Sequence, residues 1–266
     1  MKDLKDIIAK ASENDTPDVK RFLFGSIELT SLKCTDSEQS IMSFVDKVNK
    51  WDDERPYLPH PATICVYPCY AEIVKEYLQV EGIGIACVSG SFPSSQTFLE
   101  VKTIETALAI KDGATEIDMV MPVGKFLSGD EQGVSDEITE MKAVCGPDIP
   151  LKVILETGCL KTEENIRKAS FLAMNAGADY IKTSTGKEAI SATPEAAYIM
   201  CQCIKEYYKN EGRAVGFKPA GGINTPMDAI IYYTIVKEIL GKDWLDNKLF
   251  RLGTSRLADA LIDEIG

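Results

Sequence analysis

Three ionisable residues occupy positions where a barrel strand would ordinarily carry apolar side chains: Lys182 in "DYIKTSTGKEA", Lys218 in "GFKPAGG" and Asp118 in "EIDMVM". If Ile181 and Phe217 turn toward surrounding helices, strand alternation turns Lys182 and Lys218 to the interior face. Adjacent strands lie about 4.8 Å apart, which brings the two ammonium groups into direct electrostatic contact. Like charge and desolvation both oppose the second proton, so one of the two lysines is expected to have a lowered pKa. A neutral amine is a nucleophile. Asp118, flanked by Ile117, Met119 and Val120, would be an expensive buried charge unless a lysine pairs with it, and such a pair could relay protons.

The use of such an amine is Schiff-base formation with a carbonyl, then proton abstraction to an enamine. Metal-assisted enolate chemistry would ask for histidine ligands, and the chain has a single histidine, His60, in the loop "YLPHPAT". A triad built on histidine would have to use His60, which reads as a loop residue between prolines. Metal-free, class I aldolase chemistry with no cofactor is therefore the expectation.

Eight short apolar runs alternate with longer amphipathic ones, the pattern of repeated βα units. The candidate strands cover 26–31, 62–67, 83–88, 116–121, 151–156, 180–184, 214–218 and 249–253. Helical spacing fills the intervals, as in "AEIVKEYLQVEG" and "TPEAAYIMCQCIKEYYKNEG", several closing on a C-capping glycine. Eight such units in 266 residues fit a single (β/α)8 TIM barrel, 1–266, with a helical cap over 1–25. An open doubly wound sheet is the other candidate, but no strand precedes G-x-G-x-x-G, and "TSTGKE" does not make a P-loop.

In a barrel the reactive groups gather at the C-terminal strand ends. Glycine-rich turns follow three of them: "STGK", "KPAGGIN" and "LGTSR". Together they offer backbone N–H groups, Lys187, Ser255 and Arg256 around one quadrant, a suitable cradle for a phosphate.

A net charge of −12 argues against nucleic acid or anionic membrane as a partner. No apolar run reaches membrane-spanning length, and the N-terminal stretch does not read as a signal peptide. Eight cysteines without a CxxC pair suit a reducing, cytoplasmic setting.

Through "IELTSL", "ICVYP", "GATEIDMVMP", "LKVILETG", "GADYIKTSTGK", "GFKPAGGI" and "RLGTS", the chain resembles the deoxyribose-phosphate aldolase family along nearly its whole length. The resemblance implies that Lys182 forms the Schiff base while Lys218 and Asp118 tune it and move protons. It sets Glu28, Thr30 and Cys65 against the substrate, and makes Gly186, Lys187, Gly221, Gly222, Gly253 and Ser255 the phosphate cradle. It further implies a homo-oligomer, a dimer, acting on a phosphosugar and aldehydes. The implied reaction is reversible cleavage of 2-deoxy-D-ribose 5-phosphate to acetaldehyde and D-glyceraldehyde 3-phosphate. The sequence departs from the family pattern at three places. Glu28 stands for the usual Asp, Asn224 and Arg256 stand where familiar bacterial members carry Arg and Ser, and the sequence ends at "LIDEIG" without a tyrosine-ended tail. An aldolase for another phosphorylated sugar, and a barrel that binds a phosphosugar without turnover, are the competing readings.

Overall fold

The computed structural model describes residues 3–265. Eight parallel strands follow one another around a barrel: β1 (Ile27–Thr30), β2 (Thr63–Val66), β3 (Gly84–Ser89), β4 (Glu116–Val120), β5 (Leu151–Ile154), β6 (Tyr180–Lys182), β7 (Gly216–Lys218) and β8 (Leu252–Thr254). Neighbours in sequence are neighbours in the sheet, and β8 returns to β1. Single bridges, Phe217 to Phe250 and Ala220 to Gly253, join the last two edges. All eight expected strands are present, most of them trimmed by a residue or two. The eighth starts three residues late because a turn over 247–249, with Leu249 N and Phe250 N donating to Asp246 O, runs up to Phe250, which makes only the single bridge to Phe217.

Helices connect the strands and enclose the barrel. Side-chain oxygens set several of their starts: Thr193 caps Pro194–Glu211, and Thr225 forms a capping box with Asp228 ahead of Pro226–Ile239. The expected N-terminal cap is helical over Leu4–Ala9 and Pro17–Gly25 with a 3-10 turn between them, residues 1 and 2 lying outside the described residues. Lys10 pairs with Glu238 at 2.9 Å, and Asn14 donates to Thr234 Oγ1 at 2.9 Å, which ties this segment to Pro226–Ile239.

Outward strand residues such as Ile64, Cys87, Ile117, Val153, Ile181 and Phe217 join the main apolar core against the helices. The inward residues divide the barrel interior in two. Cys65, Ala86 and Val88 make a small apolar wall with Leu32, packed on by Tyr67 and Phe92. The remaining sector is filled with charge.

Candidate active site

Register alone brings the two lysines together, since Lys182 and Lys218 are direct Cα partners across β6 and β7. Asp118 Oδ2 accepts from Lys182 Nζ at 2.7 Å and from Lys218 Nζ at 2.6 Å. Its other oxygen, Oδ1, accepts from Lys152 Nζ at 3.0 Å, Lys152 being the β5 partner of Asp118. Asp118, Lys152 and Lys218 are essentially sealed from solvent, and Lys182 retains 3% exposure.

A deeper tier continues the network. Glu28 Oε2 accepts from Lys218 Nζ, while Glu28 Oε1 accepts from Arg251 Nη1 at 3.2 Å and lies 3.4 Å from Lys152 Nζ. Glu116 holds Arg251 through a two-pronged contact, 3.0 and 2.9 Å, and also pairs with Lys152 at 2.6 Å. Tyr180 lies beneath both cations, within 5.9 Å of each.

These contacts set the protonation states. Burial favours the neutral form of Lys182 and, with help from the Lys218 charge, outweighs Asp118, so its pKa is lowered. For Lys218 burial acts the same way, but Asp118 and Glu28 overcome it and the pKa rises. Burial would protonate Asp118; Lys152, Lys182 and Lys218 instead hold it well below the usual carboxylate range. The paired lysines thus divide into one inclined to be neutral and one held protonated, as the sequence requires.

A cleft of about 240 Å³ opens above Lys182. Its walls include Thr30, Lys187, Gly186, Gly221, Gly222, Gly253 and Ser255, all expected from the sequence, together with Asn224. Gly186 and Gly221 adopt φ of +77° and +83°, the left-handed region that a side chain would strain. Gly253 is required for space: a Cβ there would lie 2.7 Å from Ala220 Cβ and 3.1 Å from Lys218 Cε. Beyond Ser255 the helix Leu257–Ile265 begins, its first N–H groups capped by Thr254 Oγ1 at 3.3 Å. Thr254 and Ser255, just ahead of that helix, line the cleft, so the positive partial charge of a helix start lies near it, favourable for an anion. Lys187 Nζ donates to Leu32 O across the mouth. Below the loop, buried Glu156 accepts from Thr185 N at 3.3 Å and from Thr185 Oγ1, fixing the turn that presents Gly186.

Three of the expected residues do not line the cleft. Glu28 does not line the cleft; it shares a face of β1 with Thr30 but lies one layer lower, fully buried with its oxygens taken by Lys218 and Arg251. Cys65 is likewise fully buried, in the apolar wall, where burial pushes its thiol up to about 11 and keeps it uncharged. Arg256 is exposed and outside the cleft. Glu28, Cys65 and Asp118 place ligand atoms within 4.8 Å of one another, a spacing a metal could bridge. The two carboxylates, however, already hold three lysines and an arginine, so the donor set does not fit a cation.

Lys152, Glu116 and Arg251 were not singled out in the sequence. The signal for Lys152 was a lysine inside the apolar run "LKVIL", on the same parity as the inward side of β4.

A family model described as the DeoC/LacD family aldolase matches residues 52–232. A Caenorhabditis elegans protein provisionally named a deoxyribose-phosphate aldolase is 43% identical over 235 residues, which is 88% of this chain and 77% of its own. The deoxyribose-phosphate aldolase of Homo sapiens is 43% identical over 198 residues, 74% of this chain and 62% of the human protein. Among solved structures, the deoxyribose phosphate aldolase of Aeropyrum pernix, described as a unique tetramer, superposes with a TM-score of 0.74. That pair is 22% identical, covering 99% and 97% of the two chains, and speaks to the fold. An aldolase called QR15 gives a TM-score of 0.73 at 29% identity, covering 91% of this chain and 96% of its own. The relatives set aside the reading of a barrel that binds without turnover. With β2 to β7, Asp118, Lys182 and Lys218 all inside the matched segment, the chain belongs to the DeoC/LacD aldolase family, with the deoxyribose-phosphate aldolases, and is a carbon–carbon lyase.

Proposed function

We propose that the protein cleaves 2-deoxy-D-ribose 5-phosphate reversibly to acetaldehyde and D-glyceraldehyde 3-phosphate, with Lys182 as the Schiff-base amine. One observation carries the assignment of the nucleophile: among the described residues, Lys182 is the one member of the buried ion cluster that also lines the cleft. Neutral Nζ attacks the C1 carbonyl of the open-chain sugar, and loss of water gives the iminium. The C3 hydroxyl gives up its proton, the C2–C3 bond breaks, and its electron pair passes into the iminium to form an enamine on Lys182. D-glyceraldehyde 3-phosphate leaves. Protonation of C2 and hydrolysis then release acetaldehyde and regenerate the amine.

Lys218, held cationic, sits 2.6 Å from the Asp118 oxygen that also meets Lys182, so the pair is placed to supply and recover protons by way of water. Gly186, Gly222 and Ser255 offer N–H groups to the phosphate, Gly221 and Gly253, whose N–H groups bond Gly253 O and Pro219 O, leave room for its approach, and Lys187 adds charge. Glu28 and Arg256, the departures that would favour another phosphosugar, lie outside the cleft, so no second substrate is favoured. We extend the family resemblance to a homo-oligomer, and eight unpaired cysteines support a cytoplasmic setting.

Borohydride added in the presence of acetaldehyde should leave a two-carbon adduct on Lys182, located by peptide mass spectrometry. A coupled assay should detect D-glyceraldehyde 3-phosphate released from 2-deoxy-D-ribose 5-phosphate. Turnover with Lys182 unmodified, or an adduct without release of the triose phosphate, overturns the nucleophile or the substrate respectively.

A further inference from the structure

The ion-paired cluster inside the barrel is not balanced. Following every ion pair from Asp118 outward collects Lys152, Lys182, Lys218 and Arg251 on one side, and Glu28, Glu116 and Asp118 on the other. Four side chains that are ordinarily cationic therefore share three carboxylates. The cluster is almost dry: Lys152, Glu28 and Asp118 have no exposure, Lys218 has 1% and Arg251 has 7%. An unmatched charge in such surroundings is expelled when a proton can leave.

Arg251 cannot give up a proton in a protein. Lys152 faces Asp118, Glu116 and Glu28 and is held well above its ordinary pKa; Lys218 faces Asp118 and Glu28. Lys182 has ion-pair contact with Asp118 alone and is the one that reaches the cleft. Other groups around it leave the count intact. Cys65 on β2 is a neutral thiol, Tyr180 on its own strand is a neutral phenol, Lys187 stands at the cleft wall, and Glu156 beyond β5 bonds Thr185, acting on Lys182 only as a weak, longer-range charge with no ion pair to it.

Resting on the reading of Lys182 as nucleophile, we infer that Lys152, closed off from the cleft, is a positioning residue: its charge is the surplus that makes the cluster shed a proton at Lys182. It also holds Asp118 Oδ1, leaving Oδ2 for the two upper lysines. The inference assigns the tuning of the nucleophile to the whole count of charges, including a tier that substrate never meets.

The test varies the count in both directions and follows the pH dependence of borohydride trapping of acetaldehyde on Lys182 in the full chain. Lys152→Met leaves three cations with three carboxylates, Lys182 keeps its proton to higher pH, and the midpoint of trapping should move up by about one pH unit. Glu116→Gln leaves four cations with two carboxylates, and the midpoint should move down. Lys152→Arg restores the charge and should return the midpoint toward wild type. A merely structural role would lower rates in both variants without opposite displacements. Midpoints that stay put, or move together, overturn the inference while the wild-type adduct stands; a wild type without the adduct overturns the nucleophile assignment and this inference with it. Should Lys152→Met fail to fold, the downward shift in Glu116→Gln decides alone.

Discussion

Lys102 and Lys182 are both buried lysines ending on a carboxylate, and one of them opens onto a cleft. Lys102, in the helix Leu99–Lys111, donates to Glu137 Oε2 at 2.6 Å and to Ser95 Oγ at 2.8 Å, and it does not line the cleft above Lys182. Its carboxylate partner is shared with Lys125, whose side chain is half exposed so that water screens its charge. Lys182 instead shares Asp118 with two further buried lysines, and it lines the cleft. Burial alone therefore does not make an amine reactive. Crowding by like charge, together with access, separates a structural lysine from the proposed nucleophile.

Exchanging the two lysines in turn should separate them most sharply. Lys182→Met removes the group that would hold the carbonyl carbon, and kcat/KM for 2-deoxy-D-ribose 5-phosphate should fall by about 10⁴-fold or more. Lys102→Met should keep kcat/KM within about twofold yet cost about 3 kcal/mol in urea unfolding, because Glu137 loses its buried partner. Equal loss of activity in both would erase the distinction.

The charged interior should also show itself in acid. Lys152 and Arg251 overcome the effect of burial on Glu116 and hold its carboxyl at about 2, against an ordinary 4.5. A depressed folded value contributes stability above the unfolded one, and that contribution drains away as pH falls through the folded value. Asp118, also depressed, acts in the same direction. Unfolding free energy should decline between pH 4.5 and 2 by a few kcal/mol (~3 from Glu116), and Glu116→Gln should flatten that decline.

Most of what separates the two regions was legible in the sequence, for a definite reason. Strand parity turns Ile181 and Phe217 out and Lys182 and Lys218 in, and the turns "STGK", "KPAGG" and "LGTS" must gather at one end once the strands are parallel. Depth was not legible. Glu28 and Thr30 share a face of β1, but the barrel's tilt and the positions of Lys218 and Arg251 decide which of them meets the cleft. The same holds for Cys65, whose neighbours Ala86 and Val88 come from the next strand. Lys152 was hidden because one lysine within an apolar run reads as a snorkelling side chain until the β4 register puts it beside Asp118.

At the cleft wall a smaller effect should distinguish binding from chemistry. Lys187→Met removes a cation but none of the buried cluster, so KM for the phosphorylated sugar should rise roughly tenfold, with kcat little changed. Unphosphorylated 2-deoxyribose should be cleaved by variant and wild type at equal, low efficiency. A variant that slows both substrates alike would move Lys187 from the phosphate to the chemistry.

The smallest effect belongs to the residue whose type most often does chemistry. His60 stands in a loop, its side chain 41% exposed, with Nε2 2.7 Å from Asp52 Oδ1. It is far in function from the strand ends: it belongs with Gly25, Pro59 and Arg251 around a shallow depression that shares no residue with the cleft above Lys182. An exposed pair of this kind gains little, because water screens both partners and their side chains must be held still. His60→Ala should therefore leave kcat/KM and its pH dependence unchanged and shift Tm by about 1 °C or less. A lost acid or alkaline limb in the variant's pH profile would show that an imidazole, and not the lysine cluster alone, handles protons in this barrel.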